Sequence, residues 1–204
     1  FLQAKGEARY ARSMDISPSR GVIVDRNNQL LAQTLENSIR DSLTGCFNRA
    51  YAMDALKAEL QRAQRKPRDI SVMMLDIDDF KSVNDRFGHL TGDAILAAVG
   101  AQLTAALRST DLKCRYGGDE FLVILPDTPL GGAQRAASAL LAEVSRIAVE
   151  AQGVLVSPTI SIGVASALDH ETEIAPLVGR ADAAMYEAKR AGRNRVASRL
   201  APAG

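Results

Sequence analysis

Residues 70–78, ISVMMLDID, form a nearly unbroken apolar run of strand length that ends in carboxylates. A strand with one wet face alternates apolar and polar positions, whereas a run apolar on both parities is covered on both faces. This feature demands a central strand, so the rest of the chain must supply packing layers on each side.

The flanking patterns supply them. Residues 48–65 carry Met53, Leu56 and Leu60 at helical spacing, and Pro67 stops that helix. Thr91 is expected to cap a helix over 92–108, with Ile95, Val99, Leu103 and Leu107 on one face. LKCRY and DEFLVIL flank Gly117 and Gly118. Two strands joined by two glycines predict a hairpin with a type I′ turn, which needs φ > 0 at both central positions. A helix over 130–148 follows, with Leu140, Leu141, Val144 and Ile147 on one face. TISIGVA (159–165) is a strand, and 173–190 is a helix with Ile174, Leu177, Val178, Ala181 and Met185 inward. Gly192 ends that helix, and NRVAS forms a last strand. The centre of this order is a βαββαβ unit, the ferredoxin-like arrangement of the α/β (α+β) class. It predicts a mostly antiparallel sheet flanked by helices, with the first strand and the hairpin as central neighbours.

Residues 37–200 read as this one domain, and residues 1–36 as a non-catalytic extension. The extension is polar and irregular. A short hairpin, GVIV–DRNN–QLLA, is expected within it, too small to fold alone.

Composition narrows the function classes. The net charge of +1 gives no basic field for nucleic acid, and 4% aromatic residues without Trp argue against a base-stacking platform. No run of about 18 apolar residues is present, so no membrane contact is expected from this chain. The two cysteines, Cys46 and Cys114, lack metal-ligand spacing with His89 and His170 and read as ordinary thiols of a reducing compartment.

The chemistry lies in the acids. Asp76 and Asp78 share a strand face while Ile77 points away. A buried strand that ends in carboxylates is costly without a cation. Asp119 and Glu120, just past the hairpin turn, would come near Asp76. Acids converging in this way repel unless a hard divalent cation binds them, and phosphates complete the shell of Mg²⁺. Gly117 and Gly118 would let phosphate approach the backbone. Taken singly, DIDD reads as a strand end entering a polar loop and GGDE as a turn. Together, at the ends of adjacent strands, they point to a metal–phosphate site.

Six ordered motifs carry a resemblance to a known family: DSLTGCFNR (41–49), LDIDDFKSVNDRFGH (75–89), GD (92–93), RYGGDEF (115–121), TISIGVA (159–165) and ADAAMYEAKRAGRN (181–194). Residues 41–198 resemble the GGDEF family of diguanylate cyclases. The resemblance implies a palm-like nucleotidyl-cyclase fold and condensation of two GTP into cyclic di-GMP with release of two pyrophosphates. It implies two Mg²⁺ per active site, with Mn²⁺ able to substitute, a homodimer for catalysis, and a cytoplasmic setting where GTP is available. By the same resemblance Asp76, Asp119 and the Ile77 carbonyl would bind metal. Glu120 would bind metal or assist deprotonation of the ribose 3′-hydroxyl, so Asp119 and Glu120 would be the catalytic pair. Gly117 and Gly118 would make room for phosphates, Asn84 and Asp93 would bond guanine, and Lys81, Lys189 and Arg193 would neutralise the triphosphate.

Lys189 and Arg193, four apart, would share one side if the helix persists. On residue chemistry alone, Asp93 is also an acid favoured in a helix's first turn, and KRAGR a solvated helix end. RSTD (108–111) matches the family's RxxD product-inhibition site, with Arg108 and Asp111 gripping cyclic di-GMP. An Arg–Asp pair at this spacing is otherwise a weak surface ion pair. No second arginine is singled out by the sequence. The alternative reading is a non-catalytic module that binds or senses GTP or cyclic di-GMP.

Residues 19–34, SRGVIVDRNNQLLAQT, resemble a short segment of penicillin-binding proteins. Neither Ser-x-x-Lys nor Lys-Thr-Gly occurs, which excludes acyl transfer of that type, and the segment reads as a foreign or fused piece.

Overall fold

The structure is a computed structural model that describes residues 38–199. The hairpin expected within 19–34 lies outside the described residues.

Eight strands and five helices alternate along the described chain: β1 (Phe47–Asn48), α1 (Arg49–Arg65), β2 (Ile70–Ile77), α2 (Phe80–Phe87), α3 (His89–Ala106), β3 (Leu112–Arg115), β4 (Glu120–Pro126), α4 (Leu130–Val144), β5 (Val149–Ala151), β6 (Val154–Val156), β7 (Ile160–Ser166), α5 (Ile174–Arg190) and β8 (Arg195–Ser198). The main sheet has the order β1-β3-β4-β2-β7-β8. Its inner four strands, β3-β4-β2-β7, are antiparallel throughout and form the expected βαββαβ core. β1 and β8 add parallel edges, and β5–β6 is a separate small hairpin.

All eight residues of β2 are buried, as a central strand requires. Its two parities serve two cores. Met73, Leu75 and Ile77 meet residues of α3 and α4 on one face. Ile70, Val72 and Met74 meet residues of α1 and α5 on the other. Asp76 has the second parity, which aims it at the α5 side. Where β7 passes beneath α5, a Cβ on Gly163 would lie 2.0 Å from the Ala181 carbonyl oxygen, so this close contact requires glycine. Cys46 and Cys114 are buried free thiols in different cores, and burial pushes the Cys114 thiol up to about 12.

Several local expectations are corrected. Thr91 does not cap α3, which begins at His89; its hydroxyl donates back to the Phe87 carbonyl at 3.0 Å. Gly88, at φ 86°, makes the sharp junction between α2 and α3. Neither Gly117 nor Gly118 has positive φ, so the hairpin turn is not type I′. A longer turn closes instead, with the Tyr116 and Gly117 N–H groups both donating to the Glu120 carbonyl at 2.8 and 3.3 Å. α4 ends at Val144 rather than 148, and β5–β6 follows where no strands were expected.

Candidate active site

The end of β2 is where the charge collects. Asp76 is directly opposite Glu120 in the β2–β4 register, and the Ile77 N–H donates to the Asp119 carbonyl at 3.3 Å. The acids expected to converge therefore meet at one end of the sheet. Asp76 is buried, and Lys189 from α5 places its Nζ 2.7 Å from its carboxylate. Burial pushes the Asp76 carboxyl up to about 6; Lys189 opposes that rise, and the charges of Asp119 and Glu120 add to it.

The donors are hard oxygens, which suit a divalent ion of the Mg²⁺ type. A buried carboxylate beside two further acids calls for positive charge, and Lys189 provides some of it. Among the described residues no three acid, His or Cys side chains are drawn to metal-holding distance. The site fits such an ion in donor chemistry and charge, with the lysine ammonium against the principal carboxylate.

Asp78 has a different job. Its carboxylate accepts from Thr159 Oγ1, Ser161 Oγ and the Asn194 N–H at 2.7, 2.7 and 3.0 Å. It ties the loop after β2 to β7 and to the segment after α5. Nothing in the strand pattern separated this structural acid from Asp76, because both have the same parity. Asp79 follows in a left-handed conformation at φ 52°, turning the chain into α2.

Arg193 reaches the site by an unexpected route. α5 stops at Arg190 and Gly192 takes φ 113°, so Arg193 does not continue the helix face of Lys189. Its N–H donates to the Ala188 carbonyl at 3.1 Å, and its guanidinium lies 3.4 Å from Asp79. Lys81 is exposed in the first turn of α2.

The turn that carries Gly117 and Gly118 is held from below. Arg115 donates to the Gly118 carbonyl at 3.1 and 2.8 Å and pairs with Asp41 at 3.1 Å. Asp41 also accepts from the N–H and hydroxyl of Thr44 at 2.9 and 2.7 Å. The DSLTG stretch thus buttresses the glycine turn, a role for Arg115 and Asp41 that sequence reasoning missed. A Cβ on Gly118 would meet nothing within 4 Å, and one on Gly117 would meet only Glu120 Oε2, at 3.0 Å. The space above the turn is open.

Asn84 packs across the α2–α3 junction against Gly92, the residue before Asp93. Gly92 has no room for a Cβ, which would lie 1.9 Å from Asn84 Oδ1. That buried oxygen has no hydrogen-bond partner. Asp93 is exposed in the second turn of α3, not the first turn of a helix beginning at 92.

Arg108 and Asp111 form a tight turn after α3, with the Arg108 N–H donating to Asp111 Oδ2 at 2.9 Å. A cavity of about 330 Å³ adjoins it, lined by Arg108, Asp111, Thr128, Gly132 and Arg135 among others. Arg135, on α4, lines the same cavity as Arg108 and Asp111, a neighbour that no spacing in the sequence could single out. RSTD is not a simple surface ion pair, because Asp111 is buried.

The family described as diguanylate cyclase, GGDEF domain, matches residues 38–195. The chain belongs to the GGDEF family. The response regulator PleD of Caulobacter vibrioides is 40% identical over 178 residues, covering 86% of this chain and 39% of PleD. This GGDEF domain thus spans about two fifths of that curated relative's length. The diguanylate cyclase SiaD of Pseudomonas aeruginosa, solved with its activator SiaC, is 38% identical with a TM-score of 0.78, over 82% of this chain and 64% of that one. The GGDEF domain of DgcB from Caulobacter crescentus, solved in complex with c-di-GMP, is 32% identical with a TM-score of 0.75, over 79% of this chain and 93% of that one. The shared fold is the palm-like nucleotidyl-cyclase arrangement. No helix among the described residues is long and apolar enough to cross a membrane.

Proposed function

We propose that this GGDEF domain condenses two GTP into cyclic di-GMP with release of two pyrophosphates, each subunit of a homodimer bringing one GTP and half of the active site. The carrying observation is the convergence of Asp76, Asp119 and Glu120 at one sheet end against Lys189. Family membership adds its weight to the same reading.

Asp76, Asp119, the Ile77 carbonyl and Glu120 would hold magnesium, two ions per site, with Mn²⁺ as a substitute. Bound there, the metal would supply charge neutralisation at the phosphates and a lowered pKa for the attacking 3′-hydroxyl. Lys189, Lys81 and Arg193 offset the triphosphate charge, and the open Gly117–Gly118 turn admits the phosphates. Glu120 assists removal of the 3′-hydroxyl proton. The unpartnered Asn84 Oδ1 accepts from guanine, and Asp93 accepts from its N1–H and N2–H₂ edge, a donor pair that adenine lacks. Arg108, Asp111 and Arg135 form the product-inhibition site, where guanidinium groups bind phosphate or guanine bidentately. The reaction belongs in the cytoplasm, where its substrate is.

Incubation with GTP and Mg²⁺, followed by mass analysis of the product, tests this reading. Asp119→Ala and Glu120→Gln should each lower condensation about 100-fold or more. Full activity in both variants would overturn the assignment of these acids. GTP or cyclic di-GMP binding without turnover in the parent chain would leave a sensing module instead.

A further inference from the structure

Beneath the Arg108–Asp111 turn lies a charge that the proposed chemistry does not use. Lys113 is the second residue of β3, with its side chain on the core face, and it is buried, 9% exposed. Its Nζ reaches out of the sheet to the Arg108 carbonyl at 2.5 Å. The Arg108 N–H in turn holds Asp111 Oδ2, and the Asp111 N–H returns to the Arg108 carbonyl at 3.1 Å. One carbonyl therefore receives both the lysine and the turn's own hydrogen bond. Asp111 is 5% exposed, and its Oδ1 is buried without a partner.

A lysine is a costly choice at this position. It pairs across the sheet with Val123, a residue of the core on the α3 and α4 side, opposite to the face of Leu112 and Cys114, and a buried ammonium must be offset by nearby negative charge. Burial pulls the Lys113 pKa down, and the charge of Asp111 opposes that fall. Asp111 lines the same cavity as Arg108 and Arg135, and its Oδ1 is left without a partner.

We propose that Lys113 is a positioning residue for the product site: it fixes the Arg108–Asp111 turn and so keeps the Asp111 carboxylate aimed for a guanine-bearing, doubly charged ligand. This rests on the reading of that turn as the cyclic di-GMP site. It requires no contact between Lys113 and the ligand. A purely structural lysine would stabilise the fold without altering ligand affinity. Exchange for a shape-matched apolar side chain keeps the packing volume and removes the charge, so affinity and its recovery by arginine separate the two roles; some loss of stability is expected because Asp111 stays buried.

The experiment titrates cyclic di-GMP into the full chain calorimetrically and records thermal unfolding of each variant without ligand. Lys113→Met should stay folded at the temperature of the titration and bind cyclic di-GMP about tenfold more weakly, the loss of one charge-assisted hydrogen bond. Lys113→Arg, which can still donate to the Arg108 carbonyl, should recover binding to within about threefold. Arg108→Ala is the reference. If it binds cyclic di-GMP as the parent does, the product-site reading falls and this inference falls with it. If Arg108→Ala weakens binding but Lys113→Met does not, the product site stands and the role of Lys113 is refuted. A Lys113→Met loss that Lys113→Arg does not recover refutes it as well.

Discussion

Replacing Asp76 by Asn perturbs the electrostatics on which the site rests. Burial pushes this carboxyl from 3.8 up to about 6, with Asp119 and Glu120 adding to the rise and Lys189 opposing it. A group whose native pKa exceeds its unfolded value contributes stability that is fully present below the unfolded pKa and is lost as pH rises through the native one. Without metal, ionised Asp76 therefore weakens the fold above about pH 6, and the penalty is absent below 3.8. A shift of about two units corresponds to about 3 kcal/mol, which solvent screening at the open end of the sheet reduces to about 1–2 kcal/mol. Asn matches the protonated carboxyl in shape and carries no charge. In chelator at about pH 8, Asp76→Asn should thus be more stable than the parent by about 1–2 kcal/mol, and the two should converge near pH 4. Urea unfolding at both pH values measures this. Asp41 and Glu171 have lowered pKa values and act in the opposite sense, losing stability as pH falls through their native values. They are common to both chains and cancel in the difference. Added Mg²⁺ should reverse the order at pH 8, because a cation that needs the carboxylate stabilises only the parent. A variant less stable than the parent in chelator at pH 8, or a gap that widens toward low pH, would refute the reasoning.

Three further outcomes are expected. Gly118→Ala should leave urea stability unchanged or slightly raised, since its φ is not positive and its Cβ meets nothing, yet cut condensation about tenfold or more by filling the phosphate approach. Arg115→Met removes the clamp on the Gly118 carbonyl and its pair with Asp41; condensation should fall about 10- to 100-fold, with far-UV circular dichroism retained. Asp78→Ala strands three donors, those of Thr159, Ser161 and Asn194, and should cost about 3–5 kcal/mol in urea unfolding.

The sequence by itself determined the core topology and the principal acids. Hydrophobic parity is a local property: the ISVMMLDID run set β2 between two layers and gave Asp76 its face, and the βαββαβ order followed from the spacing of apolar residues. The GG pair marked a hairpin but not its turn type, because backbone hydrogen bonds to Glu120 and the Arg115 clamp set the loop rather than glycine's left-handed freedom. Tertiary structure alone decided which of two like carboxylates is taken up by structural hydrogen bonds. Asp76 and Asp78 look alike along the chain, and only the donors of β7 and of the segment after α5 turn Asp78 into a structural tie while Lys189 meets Asp76. Arg135 and Lys113 were equally hidden, one on a helix remote in sequence and one in a strand where its neighbours are core residues. Charges act through space, and the distances over which they act are set by how layers pack rather than by how residues follow one another.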